Sequence, residues 1–399
     1  MRKIILFLVF SFLILDAKVQ KLSNIMPAKC EYLNFEPGIC DNACLVNLVN
    51  ENKIFSFLSM YKDEFSDENL RKIYAIANNE TATLSAINNL SSSDKIGVLL
   101  PQNVIGNYAK VVSNAIFSYI TSQNLEIEVK FYLSGNESRY SLENVLNNIK
   151  NDGISVVIAP VTVAGAKFIA NNADENILFF IPTLSYEMVG ISKGNIFFGG
   201  INYQEQILKL LNTSSNKIVI FSDNSELAKT LNRYISQYNL DLFSTIFISD
   251  EKTTLLGMVD NSLDDSLIFL NLPLQKTSLV INELALNDIK PASLLSTQIN
   301  YSPKLLSSTK YDYRKNLYIA NIINEIPQNV LLNSFLFGVD MNYDWVAYST
   351  AIGLDYLYSV FVNTNHTRIF KENIIGSSID YESKIYQTNR YKFIKYNPN

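Results

Sequence analysis

The chain has one histidine, His366, and its three cysteines, Cys30, Cys40 and Cys44, all precede residue 45 of 399. With a single histidine, hydrolysis by a serine or cysteine triad and histidine-rich metal sites have almost no material to work with. His366 stands in Asn365-His366-Thr367 and is expected in an exposed loop. No G-x-S-x-G, no G-x-x-x-x-G-K-[ST] and no G-x-G-x-x-G occurs, which removes the usual nucleophile elbow, phosphate loop and dinucleotide fingerprint. Carboxylates are plentiful, yet nothing singles out a pair for acid–base work. A non-enzyme is expected, with no cofactor and no metal. Positive charge is also short: 33 Lys and Arg face 38 Asp and Glu, for a net charge of −5 and a pI near 5.2. Nucleic acid, which needs clustered positive charge, is a poor match.

Long apolar runs are missing except at the start, where Arg2 and Lys3 precede Ile4–Leu15 and then Asp16-Ala17-Lys18. This reads as a basic region, an apolar region and a small residue at a cleavage site, so residues 1–17 are expected to be a signal peptide and the mature chain a soluble protein of the periplasm. Ile4–Leu15 is too short to span a bilayer, which takes about 20 residues of helix. In an exported chain three cysteines suggest one disulfide and one leftover thiol. All three pairings of Cys30, Cys40 and Cys44 stay open, and zinc is disfavoured because it wants a fourth ligand.

Residues 18–92 read as a small helical, cysteine-containing domain and linker. Ile54, Phe57, Leu58, Tyr61 and Phe65, then Leu70, Ile73, Tyr74 and Ala77, carry helical spacing, with Ser66 or Asp67 as the cap of the second helix. The polar run Asn88–Asp94 leads out of it.

From residue 93 to 399 the pattern changes to strand-like runs, each followed by a helix-patterned stretch, at roughly 30 residues per unit as βαβ units require. Ile96-Gly97-Val98-Leu99-Leu100 is wholly apolar, as a strand buried on both faces should be. Tyr108, Val111, Val112, Ala115, Ile116, Tyr119 and Ile120 then lay one apolar face along the sheet. Further strands are expected near Glu126–Leu133, Ser155–Ala159, Ile177–Ile181, Lys217–Ser222, Leu242–Ile248 and Leu267–Leu272. Helices are expected near Ser141–Asn151, Val163–Asn172, Gln204–Leu211, Leu227–Tyr238, Lys276–Asn287 and Asn342–Val362. The fold class is α/β with parallel sheets, preceded by a small helical domain.

The order of these elements resembles the type I periplasmic-binding-protein superfamily, in its leucine-binding-protein-like and penicillin-binding-protein-activator-like branches. Lys95-Ile96-Gly97-Val98-Leu99-Leu100-Pro101 is similar to that family's first strand, and Ile181-Pro182-Thr183-Leu184-Ser185 with Asn195–Gly200 to the strands entering the second lobe. Asp344–Tyr356 resembles its late helix, and Ile375–Asp380 its closing hairpin. The resemblance implies two α/β lobes, about 93–201 and about 202–320 with later segments added, joined by three hinge strands around a cleft. Its members include transport receptors, sensor domains and an envelope activator of peptidoglycan synthesis. That activator has a helical domain ahead of the binding-protein-like one, as here, although residues 18–92 are far shorter than its helical array.

Ligands of parallel α/β sheets bind beyond the C-terminal ends of the strands. That places Gln102, Asn103, Thr162, Thr183 and Ser185 of the first lobe, and Tyr203, Asp223 and Asn271 of the second, as candidate contacts to a small polar ligand. Each also has a structural reading: Thr183 and Ser185 as turn caps, Asp223 as the cap of the following helix, Asn271 as a loop anchor. Pro160–Ala164 and Pro182–Ser185 lack the denser Ser/Thr clusters of the amino-acid branch's carboxylate grip. The favoured role is therefore a non-catalytic periplasmic protein that meets an envelope protein or regulates one. The alternative is a solute receptor that hands a small polar ligand, such as an amino acid, to a transporter permease.

Overall fold

A computed structural model describes residues 40–51, 53–77, 94–191, 193–211, 217–238, 242–249, 255 and 257–397. The expected signal peptide, Cys30 and most of the linker lie outside the described residues. The chain divides into two compact units, 1–92 and 93–399.

In the first unit, helices Asn42–Asn50, Ile54–Met60 and Glu68–Ala77 surround a core of Leu45, Phe57 and Leu70. The Asp41 carboxylate accepts from the Cys44 amide at 2.9 Å and caps the first helix. Asp67 does the same for the third through the Leu70 amide, satisfying donors that the helix itself leaves open. Tyr61 stacks on Tyr74 with ring centroids 3.8 Å apart. Cys40 and Cys44 form a disulfide across 5.2 Å between their Cα atoms. Of the three pairings left open, this is the one present.

The second unit contains two seven-stranded sheets. In the first, strands run β11-β12-β5-β4-β3-β1-β2, where β1 is Asp94–Leu100, β2 Ile127–Leu133, β3 Val156–Ile158, β4 Leu178–Ile181, β5 Ile196–Phe198, β11 Asn373–Ile375 and β12 Ser378–Asp380. In the second, strands run β14-β13-β10-β9-β8-β6-β7, where β6 is Ile218–Ser222, β7 Leu242–Phe247, β8 Leu267–Asn271, β9 Ser293–Ser296, β10 Leu317–Asn321, β13 Lys384–Thr388 and β14 Phe393–Lys395. β1–β5 pair in parallel, as do β6–β10, and each sheet ends on an antiparallel pair supplied by the C-terminal segment. The chain thus passes between the sheets three times, at 199–203, 322–327 and 381–383.

The expected elements up to Asn287 are present, with ends moved by a few residues. The irregular stretch after them holds β9, β10 and helix Gln328–Leu336. The expected single helix Asn342–Val362 is a shorter α-helix, Trp345–Leu357, followed by a π-helical turn, Tyr358–Val362. Every residue from Val346 to Asp355 in it is buried, which is why its sequence shows little polar face. A core cluster runs from Ile96, Val112 and Tyr119 of one lobe through Ile201, Ile322 and Tyr381 at the crossings to Ile220 and Phe269 of the other.

Candidate functional site

At the C-terminal end of β3 the chain turns through Pro160-Val161-Thr162 into helix Val163–Asn172, whose N-terminus faces the rim of the first lobe. Thr162 is its N-cap. The donors there are already engaged. Glu137, from the loop after β2, accepts from the Thr162 amide at 2.7 Å, from the Thr162 hydroxyl, and from the Gly165 amide at 3.2 Å. A helix N-terminus attracts negative charge through its open N–H groups and its dipole. Here the chain supplies that charge itself. The approach needs glycine, because a Cβ on Gly165 would stand 2.7 Å from the Glu137 carboxyl carbon.

The other first-lobe candidates bind locally. Gln102 Oε1 accepts from the Gly135 amide at 3.2 Å, and the Asn103 amide donates to the Gly135 carbonyl at 2.9 Å, so both hold the β2 loop. The Asn103 side chain is exposed. The Thr183 hydroxyl donates to the Val161 carbonyl at 3.3 Å. Ser185 is the N-cap residue of the short turn Tyr186–Val189 but makes no side-chain cap bond; it lines a cavity of about 180 Å³ with Asn202, Glu205, Asp380 and Ser383 at the lobe crossings.

In the second lobe Asp223 follows β6. It does not cap the next helix; Ser225 does, through the Ala228 amide. Asp223 instead accepts from the Ser225 hydroxyl at 2.6 Å and amide at 3.0 Å and lies 3.6 Å from Lys276. Burial raises its carboxyl, but the Ser225 donors and the Lys276 ammonium outweigh burial and hold it below the usual carboxylate range. Asn271 closes β8, buried, and donates to Asn232, which donates to Ser222. Its own Oδ1 has no partner among the described residues. Tyr203 is buried at the first crossing, and burial pushes its phenol up. The eight candidates therefore ring the ends of both sheets, and only Thr162 and Asp223 take part in charged clusters.

Three further groups, Gln298, Asp355 and His366, complete the junction. Gln298 donates from its amide to Gln206 Oε1 at 2.9 Å, donates from Nε2 to Asn321 Oδ1 at 2.7 Å, and accepts from the Ile322 amide at 2.7 Å, tying two crossings together. Asp355, fully buried, accepts from Tyr119 at 2.7 Å and from the Ile369 and Phe370 amides. His366 is not an exposed loop residue: its ring is half-buried, with Nε2 3.1 Å from the Tyr119 hydroxyl. The rings of Tyr119 and Tyr358 draw it in from the loop.

Among the described residues no helix is long and apolar enough to cross a membrane, and no group of three or more His, Cys, Asp and Glu could hold a metal. No protein-family model matches the sequence, and no curated protein does. Solved structures do match. The branched-chain amino-acid transporter substrate-binding protein LivJ of Streptococcus pneumoniae, in complex with isoleucine, is 12% identical, with 76% of this chain and 100% of that one covered and a TM-score of 0.51. A solute-binding protein of an ABC transporter from Rhodopseudomonas palustris, in complex with p-hydroxybenzoic acid, is 11% identical over 76% and 95%, with a TM-score of 0.57. Full-length LpoA of Haemophilus influenzae is 10% identical over 88% of this chain and 68% of that one, with a TM-score of 0.52. With its two mostly parallel sheets and three crossings, the second unit has the two-lobed fold of the type I periplasmic-binding-protein superfamily.

Proposed function

We propose that the chain is an exported, non-catalytic periplasmic protein in which the binding-protein fold serves an interaction or regulatory role in the cell envelope. The observation that carries this reading is Glu137. The first-lobe donors around Thr162, where a ligand's carboxylate would be gripped, hold the chain's own carboxylate. In the second lobe Asp223 is engaged by Ser225 and Lys276. A cleft whose charged groups are satisfied internally offers little to a free solute, whereas its outer surfaces remain open to a protein. LpoA and this chain share the fold, and this chain carries a separate compact unit, 1–92, ahead of it.

Native mass spectrometry of the protein drawn gently from its own periplasm, compared with its denatured mass, tests the reading. A stoichiometric protein partner and no small adduct held in the cleft is the expected result. A discrete low-mass adduct that is released on denaturation and is lost in an Asn271→Ala variant, which places it in the cleft, would overturn it in favour of a solute receptor. That second reading is favoured by Asn271 Oδ1 and the Ser134 hydroxyl, both buried at strand ends without a partner among the described residues.

A further inference from the structure

A second cavity, apart from Glu137, opens where β10 leaves the second lobe and β13 enters it. It has a volume of about 380 Å³, within the range that encloses small ligands. Its wall is aromatic. Tyr301 lies 5.5 Å from Tyr343 and 5.3 Å from Tyr386, ring centre to ring centre. Lys384 and Lys395 stand at its edge; Glu325, also in the lining, is 3.6 Å from Lys371, and Glu382 pairs with Lys384.

The sheet fixes these groups. Tyr386 and Lys395 are register partners across β13 and β14, so a phenol and an ammonium lie side by side. Lys384, the first residue of β13, is aimed by Asn324 Oδ1 at 2.5 Å and Glu382 at 3.0 Å. Tyr343 comes from the loop ahead of helix Trp345–Leu357, which packs on helix Tyr108–Gln123 of the first lobe. Among the described residues none of the three phenol hydroxyls has a hydrogen-bond partner, and none is sealed from solvent. The Asn342 amide nitrogen donates to Asp340, which leaves its carbonyl oxygen for the cavity.

We propose that this cavity binds an acidic sugar: a polyhydroxylated ring carrying one carboxylate. A tyrosine wall suits the apolar face of such a ring, and the Lys395 ammonium suits its single negative charge. Three free phenols and an amide carbonyl suit its hydroxyls. An aromatic acid of the same size would leave those groups without partners, which is the costly outcome.

Calorimetry on the full-length protein tests this with glucuronate, galacturonate and N-acetylneuraminate as probes, and glucose and benzoate as controls. At least one acid sugar should bind saturably, with glucose about tenfold weaker or worse for want of the charge-assisted contact. Tyr386→Phe, a conservative change, should weaken binding about fivefold, the worth of one hydrogen bond. Lys395→Ala, at an exposed position, should weaken it and reduce its salt sensitivity. Unchanged melting temperatures show that both variants fold. Absence of binding by all three acid sugars, binding of benzoate in their place, or undiminished affinity in both variants would each overturn the proposal. None of these results depends on whether the Glu137 contact excludes solutes.

Discussion

Asp174 shows how a single side chain stores acid sensitivity. It sits in the turn before β4, accepts from the Asn176 amide and side chain, each at 3.0 Å, and meets Lys150 at 2.9 Å. The Asn176 donors, then Lys150, lower its carboxyl from 3.8 to about 2. Because the folded value lies below the unfolded one, the contribution is fully present above the ordinary value and is lost as pH falls through about 2. Asp174→Asn keeps the acceptor oxygen but not the charge. Its melting temperature should therefore fall less steeply than the parent's between pH 3.8 and about 2, read by circular dichroism; an unchanged slope would refute the assignment. Arg314 is the opposite case, a buried cation with no carboxylate partner among the described residues, whose guanidinium donates to the carbonyls of Thr309, Asn389 and Arg390 and so pins the β13–β14 turn. Neither residue announces itself in the sequence. Their partners are brought together by turns and strand ends that composition does not reveal.

Among the elements, helix Trp345–Leu357 sets a tight steric condition. Gly353 faces Phe180 of β4, and a Cβ there would lie 2.2 Å from the ring. Phe180 is fully buried, so it has nowhere to move. Gly353→Ala should cost about 1–3 kcal/mol through overpacking despite the gain in helix propensity, measured by urea denaturation. A neutral or stabilising result would show that β4 can shift. Sequence patterns served the strands best where burial on both faces makes them continuously apolar, as in β1, β6 and β8. They failed at β9 and β10, where Ser293, Ser296, Asn316 and Asn321 interrupt the run. These polar residues are tolerated because Asn321, at one end of β10, joins a buried hydrogen-bond network with Gln298 and the Ile323 amide, while Asn316, at the other, donates to the Pro291 carbonyl. Helix Val163–Asn172 runs over the residues its sequence predicts, although its N-cap, Thr162, is expected from the sequence only as a ligand contact. The candidate site was legible only as a set of loops. Glu137 reaches Thr162 from another loop, and no local pattern joins the two.

Across the whole molecule, the lobes of the α/β unit share one core cluster, which runs through the crossings. Sheets joined in this way should melt together rather than lobe by lobe. The sole tryptophan, Trp345, is half-buried at the start of the central helix and gives a probe of that junction. Its fluorescence and the far-ultraviolet circular dichroism should follow coincident denaturation curves for the α/β unit. Two separated midpoints would mean that the lobes unfold independently.

The Glu137 contact has a further, quantitative consequence. A carboxylate on a short loop is an internal competitor, present at an effective concentration on the order of millimolar, and dilution of the protein cannot reduce it. A free metabolite at micromolar levels would lose that competition unless it bound the same donors far more tightly. A carboxylate displayed on a neighbouring chain already docked to this one would enter at a comparable local concentration, and so compete on nearly equal terms.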